Sequence, residues 1–215
     1  MNQDNLTEKD LRTFISLLSG KDPAPGGGAG AALMGAAGTA LGMMTASFTV
    51  GKPQYAAFET EAQEALEQGL PLTGAFLDAV DRDAKVLDRY VRALHLPCEN
   101  KIQEEIRQDT LDQASRDSAR VPLDVLRLCK EATDLLLTLE GKTNPDCLSS
   151  LGDGAAALSA AARSSWLNIL INLKALSGRD DPFVISAYAE GKRLTDYVTS
   201  RCDTLYEHVL AFYDL

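Results

Sequence analysis

Residues 22–44, DPAPGGGAGAALMGAAGTALGMM, decide the fold: two prolines run into three consecutive glycines, and no charged side chain follows Asp22 within the stretch. Three readings compete: a phosphate-cradling loop, a membrane span, and a helix that something approaches very closely. The first fails because GGGAGAALMG lacks the GK[ST] ending of a P-loop and no β-branched strand precedes its GxG. Residues 29–50 are about long enough to span a bilayer, but they are Ala, Gly, Thr and Ser rather than Leu, Ile and Phe, so insertion gains little. Lys21 and Lys52 flank them symmetrically, and no orientation signal results. A helix of small residues remains. Pro25 with Gly26, Gly27 and Gly28 forms a turn into its N-terminus, whose free N–H groups suit a ligand or another backbone. Gly27, Ala31 and Gly35 fall at i, i+4, i+8, and Gly38 and Gly42 continue the spacing, so a partner helix can come close. This surface exceeds what one short chain is expected to use internally, which predicts a homodimer.

The surrounding chain suits one domain, residues 1–215, with a real core. Its composition, 45% hydrophobic and 24% charged, is globular. A formal net charge of -10 argues against nucleic acid as partner, since such binding neutralises phosphates with Lys and Arg. Cys98, Cys129, Cys147 and Cys202 are far apart with no CxxC pair, and the N-terminus has no signal-peptide pattern. The expectation is a cytoplasmic protein with reduced thiols, without a membrane partner. His95 and His208 lie near no ligand cluster, so no metal is expected.

Helical periodicity runs almost throughout. Thr7 and Asp10 precede a first helix with the apolar stripe Leu11, Phe14, Ile15 and Leu18, ending at Gly20. Gly51-Lys52-Pro53 stops the small-residue helix. Residues 55–94 read as helical with a break at Gly69-Leu70-Pro71. Residues 99–120 are amphipathic, and Pro122 is assigned to the first turn of a further helix. Residues 141–150 form a loop, followed by an Ala-rich helix over 151–176 and a terminal helix over 182–213. No strand alternation persists, so the fold class is all-α, a bundle of six to eight helices.

Two groups of polar residues stand out. Asp78, Asp81, Asp83 and Asp88 share one helix with Arg82, Lys85, Arg89 and Arg92, a pattern that suits a solvated face with i,i+4 ion pairs. Asn168 and Asn172 in LNILINL share one face of an apolar segment, so their amides must find partners. A structural hydrogen-bond network and a polar ligand site both fit.

The order of these segments resembles the formiminotransferase-cyclodeaminase C-terminal domain family, which includes stand-alone methenyltetrahydrofolate cyclohydrolases. The resemblance is carried by FISLLSGKDPAPGGGAGAALMGAAGTALGMMTASFTVGKPQY, VDRDAKVLDRYVRALHLP, ARVPL, NPDCLSSLGDGAAAL and NILINLKAL, over residues 11–181. It implies an all-helical homodimer that binds tetrahydrofolate and acts on its one-carbon unit, with no metal. By the same resemblance Asp83 is the catalytic residue, Pro25, Gly26, Gly27 and Gly28 form the substrate loop, and Asn144, Asn168 and Asn172 match family positions. Lys52 and Lys85, with Arg89 and Arg107, are candidates for the glutamate tail. Four positions depart from the family pattern: Ser150 replaces an Asp, with Asp153 one turn later; Cys98 replaces a Lys; Leu87 replaces a Phe; and an Asp is displaced near Gly178 toward Asp180 and Asp181. Hydrolysis of a methenyl group and deamination of a formimino group both suit one well-placed carboxyl. This chain carries no transferase segment to supply a formimino group, which leans toward cyclohydrolase. A non-catalytic helical dimer is the third reading.

Overall fold

A computed structural model of the chain describes residues 5–176, 178 and 180–213. Among the described residues six α-helices follow one another: α1 (Leu11–Leu18), α2 (Gly27–Ser47), α3 (Glu59–Leu94), α4 (Lys101–Thr138), α5 (Leu148–Lys174) and α6 (Pro182–Phe212). Short 3-10 turns precede α1, α3 and α5, and no strand occurs among the described residues. Several helix starts are written locally. Asp10 accepts the Thr13 N–H at 3.0 Å, Asn100 accepts that of Gln103 at 3.0 Å, and Asp181 accepts that of Phe183 at 2.8 Å. Gly51 closes the turn after α2 with φ of 71°, a left-handed conformation that glycine adopts without a Cβ clash.

The bundle is built around α2. Its neighbours α3 and α5 both run antiparallel to it: Gly28 meets Asp83 and Gly35 meets Phe76 on α3, while Gly27 meets Asn168 and Gly38 meets Gly154 on α5. Glycine weakens a helix by up to about 1 kcal/mol relative to alanine, so α2 owes its helicity to packing. Where α2 crosses α5, a Cβ on Gly38 would stand 2.9 Å from the Gly154 carbonyl oxygen, and one on Gly154 would stand 2.8 Å from that of Gly38. The backbones touch directly. The buried threonines of α2 satisfy their hydroxyls within the helix, as in Thr39 to the Gly35 carbonyl at 2.8 Å. Beyond this centre α4 packs on α3 and α5, and α6 closes the bundle against α4 and α5. The core includes Phe76, Leu126, Leu136, Leu158 and Ile169, all fully buried.

Three sequence expectations change. The glycine seam is consumed inside one chain: added methyl groups at Gly35 and Gly42 would overlap Phe76 of α3 and Leu136 of α4. It therefore supplies no argument for pairing with a second copy. The break at Gly69-Leu70-Pro71 is absent, and α3 runs through Pro71. Proline removes the N–H due to the carbonyl four residues earlier; that residue, Glu67, is exposed, so water can serve it. Gly69 is there for packing, because a side chain would overlap Met43 of α2. Pro122 likewise lies in the middle of α4 rather than in the first turn of a new helix. The carbonyl it releases belongs to Ser118, and its replacement partner lies in the candidate site.

Candidate active site

The first turn of α2 has free N–H groups and a cap residue, Gly26, with no side chain to accept one. A neighbouring helix provides the acceptor. Asp83 of α3 takes the Ala29 N–H on Oδ2 at 2.9 Å, acting as a cap supplied from outside α2. It comes this close only because residue 28 is glycine; a methyl group there would overlap the carboxylate. Burial raises the Asp83 carboxyl from its ordinary 3.8 to about 6, opposed in part by the Ala29 N–H, which favours the charged form. A carboxyl with that value changes protonation near neutral pH.

Asp83 opens onto a cleft of about 370 Å³ walled by the Gly26–Gly28 turn, by Val86, Leu87 and Tyr90 of α3, and by Ser118, Asn168 and Asn172. The two asparagines lie one turn apart on α5. Asn168 stands beside Gly27, 3.3 Å from where a Cβ would be, and donates to the Ser164 carbonyl at 2.9 Å. Asn172 donates to the Asn168 carbonyl at 2.8 Å and to the Ser118 carbonyl at 3.1 Å. The latter bond resolves the helix proline. Pro122 cannot donate to Ser118, and the Asn172 amide takes its place from the next helix. Both hydrogens of that amide are thereby committed to main-chain carbonyls, and its oxygen is what it offers a ligand.

The shared carbonyl makes a prediction. Asn172→Leu leaves the Ser118 carbonyl without a donor and should cost about 1–3 kcal/mol of stability. Adding Pro122→Ala returns an N–H to the helix, so the loss should shrink by about 1 kcal/mol or more in a double-mutant cycle read by denaturant unfolding. Simple additivity would show that Pro122 and Asn172 do not share that group.

Of the residues anticipated from sequence, Asp83, Gly26, Gly27, Gly28, Asn168 and Asn172 come together at the cleft. Pro25 is buried next to it without lining it. Both asparagines are half-buried. Asn144 is elsewhere: it accepts the Tyr55 hydroxyl at 2.9 Å and donates its N–H to Thr49 at 3.0 Å, beyond the far end of α2. Lys52 sits at the same end, and α2 is about 30 Å long. Ser150, beside Met44, belongs there as well. Lys85 and Arg89 are exposed and do not line the cleft. Arg107 donates to the Leu94 carbonyl at 2.9 Å, closing the C-terminus of α3.

The acidic residues of α3 separate by environment. Asp81 is 9% exposed and accepts the Leu6 N–H at 2.6 Å and the Thr7 hydroxyl at 2.7 Å, anchoring the chain before α1. It is no surface charge. Asp88 pairs with Arg92 at 2.7 Å, and the Arg82 of the same group pairs with Asp124 on α4. Asp181 caps α6 and pairs with Arg116, which with the Phe183 N–H holds its carboxyl below the usual range. Among the described residues no three His, Cys, Asp or Glu side chains gather as a metal site. Sequence reasoning missed Val86, Tyr90, Ile171 and Ser118 as wall residues. For Ser118 the signal was present, since it lies four residues before a helix proline.

A cleft at the start of a glycine-rich helix, lined by a half-buried carboxyl and two asparagines, defines the class: the chain belongs to the formiminotransferase-cyclodeaminase family, whose profile matches residues 10–190. It is 31% identical over 169 residues to a methenyltetrahydrofolate cyclohydrolase of Methylorubrum extorquens, covering 79% of this chain and 81% of that protein. It is 29% identical to the formimidoyltransferase-cyclodeaminase of Sus scrofa over 84% of this chain, but spans only 33% of that longer protein. The crystal structure of a formiminotetrahydrofolate cyclodeaminase from Thermotoga maritima superposes with a TM-score of 0.80 at 25% identity, covering 94% of this chain and 98% of that one.

Proposed function

We propose that the chain is a methenyltetrahydrofolate cyclohydrolase, converting 5,10-methenyltetrahydrofolate and water to 10-formyltetrahydrofolate. The observation that carries this is the half-buried Asp83 carboxyl, raised to about 6, on the wall of a cleft of about 370 Å³. Similarity to the Methylorubrum extorquens protein supports it. At pH 7, above that value, Asp83 is mostly ionised, and its negative charge favours the cationic methenyl group. Water attacks the methenyl carbon and gives one proton to Asp83. The carbon–N5 bond then breaks, N5 takes the proton back from Asp83, and the hydroxyl proton leaves to solvent as the formyl group forms on N10. Asn168 and Asn172 hold the ring and the attacking water through their carboxamides.

Deamination of 5-formiminotetrahydrofolate is the second reading, supported by the likeness to the Thermotoga maritima structure. There the protonated Asp83, still populated at its raised pKa, hands its proton to departing ammonia. Side-by-side assays of the purified chain on both substrates decide between them, because methenyltetrahydrofolate is consumed in one reaction and formed in the other. Turnover of neither by a folded chain would leave the non-catalytic reading.

The same proposal includes pairing of two copies. Its support is the outward face of α2, where Ala37, Ala40, Met44 and Phe48 are exposed and uncharged. A dimer is expected in sedimentation at micromolar concentration; a monomer would count against it. Neither nucleic acid nor membrane is a proposed partner. α2 is long and apolar enough to cross a bilayer, yet most of it is buried within the bundle, which supports a core helix. The four free cysteines support a cytoplasmic setting.

A further inference from the structure

The Asp83 cleft contains a hydroxyl that the protein does not use. Ser118 of α4 lines the cleft and is 6% exposed, and its Oγ is buried with no hydrogen-bond partner. Helical serines and threonines usually bond back to a carbonyl three or four residues earlier, as Thr39, Thr133 and Thr195 do in this chain. Ser118 makes no such bond. A buried polar group left unsatisfied destabilises the fold, and such groups are few in folded proteins. The main-chain carbonyl of the same residue is held by Asn172. The polar wall thus continues from Asp83 through Asn168 and Asn172 to Ser118.

We infer that the Ser118 hydroxyl is a substrate contact, reserved for a polar atom of the folate's fused ring, which it meets by turning out of the wall when the ring enters the cleft. The assignment follows from the order of the wall. Asp83 occupies the end at the start of α2, where the one-carbon unit must sit for proton transfer. Ser118 and Asn172 bound the cleft on the α4–α5 side and are left for the ring. A hydroxyl both donates and accepts, so it serves either a ring N–H or the ring carbonyl, while the carboxamide oxygen of Asn172 takes a donor beside it. This inference rests on the folate reading of the same site.

Ser118→Ala tests it, because binding and structural roles move stability in opposite directions. Removing a hydroxyl that is unsatisfied in the free protein should leave the melting temperature unchanged or raise it. Removing a ring contact should weaken tetrahydrofolate binding roughly 3- to 10-fold in a direct titration, raise KM for the turned-over substrate by a similar factor, and leave kcat within about 2-fold. A lower melting temperature would show the hydroxyl already bonded in the free protein and would overturn the inference, whatever the kinetics. Equal binding by the variant and the unmodified chain would overturn it while leaving the folate reading intact. An unmodified chain that neither binds tetrahydrofolate nor turns over either substrate would bring both down.

Discussion

Asp83→Asn is expected to lower turnover on the order of 10²–10⁴-fold with little change in affinity for tetrahydrofolate, which lacks the methenyl cation, since Asn keeps the shape and an acceptor for the Ala29 N–H but cannot carry the proton. Asp78→Asn and Asp88→Asn are the controls on the same helix, and both should stay within a few-fold of the unmodified chain. Asp81→Asn does not qualify. Asp81 anchors Leu6 and Thr7 and would lose stability for a reason unrelated to catalysis. Similar small effects at residues 78, 83 and 88 would remove Asp83 from its role.

The pH dependence gives the same variant a second signature. In the folded chain Asp83 has a pKa of about 6 against an ordinary 3.8, so the native state binds its proton more tightly than the unfolded state does. Ionised Asp83 therefore costs stability above pH 6, by up to about 3 kcal/mol, and this cost disappears as the pH falls from about 6 toward 4. Asp83→Asn should accordingly raise the melting temperature at pH 8 and leave it nearly unchanged near pH 4. Activity of the unmodified enzyme with methenyltetrahydrofolate should fall as Asp83 takes up its proton below about pH 6. The carboxyl is thus held at the expense of the fold, as groups selected for reactivity often are.

Local signals made the helices legible, while remote partners hid what the sequence misread. Asp10 and Gly51 mark the boundaries they suggest, because capping and left-handed turns depend on near neighbours. Pro71 looks like a helix break and Pro122 like a helix start for the same local reason. Their released carbonyls are left to solvent at Glu67 and to Asn172 on another helix, and neither solution shows within a few residues of the proline. The repeat Gly35, Gly38, Gly42 announces close approach without saying to what; the answer is α3, α5 and α4 of the same chain. Asp83 was marked by resemblance, since its charge alone does not separate it from Asp81. What distinguishes them is that Asp81 meets the segment before α1 and Asp83 the start of α2. Asn144 shares the motif order yet lies at the opposite end of α2, a separation that linear order does not encode.

The same geometry predicts that Gly28 rather than Gly27 is the position where a single methyl group abolishes most of the activity. At Gly27 an added Cβ would lie 3.3 Å from the Asn168 amide, a tight contact that a small shift of a half-buried side chain relieves. At Gly28 it would overlap the Asp83 carboxylate itself. Asp is too short to bend aside while keeping its bond to the Ala29 N–H, so the carboxylate must rotate away from the start of α2 by about 1 Å or more. A displacement of that size at a reacting group costs about 10²-fold in rate. Gly28→Ala should therefore lower kcat about 100-fold, and Gly27→Ala only a few-fold. Helix propensity works in the opposite direction, because alanine favours the first turn of α2 over glycine, so the Gly28→Ala protein should remain folded. Its pH profile separates displacement from unfolding: once Asp83 loses the Ala29 N–H and turns toward water, the inflection near pH 6 should move toward the ordinary carboxyl range. An active Gly28→Ala enzyme with its inflection unmoved would mean that the carboxylate and the first turn of α2 do not meet as described.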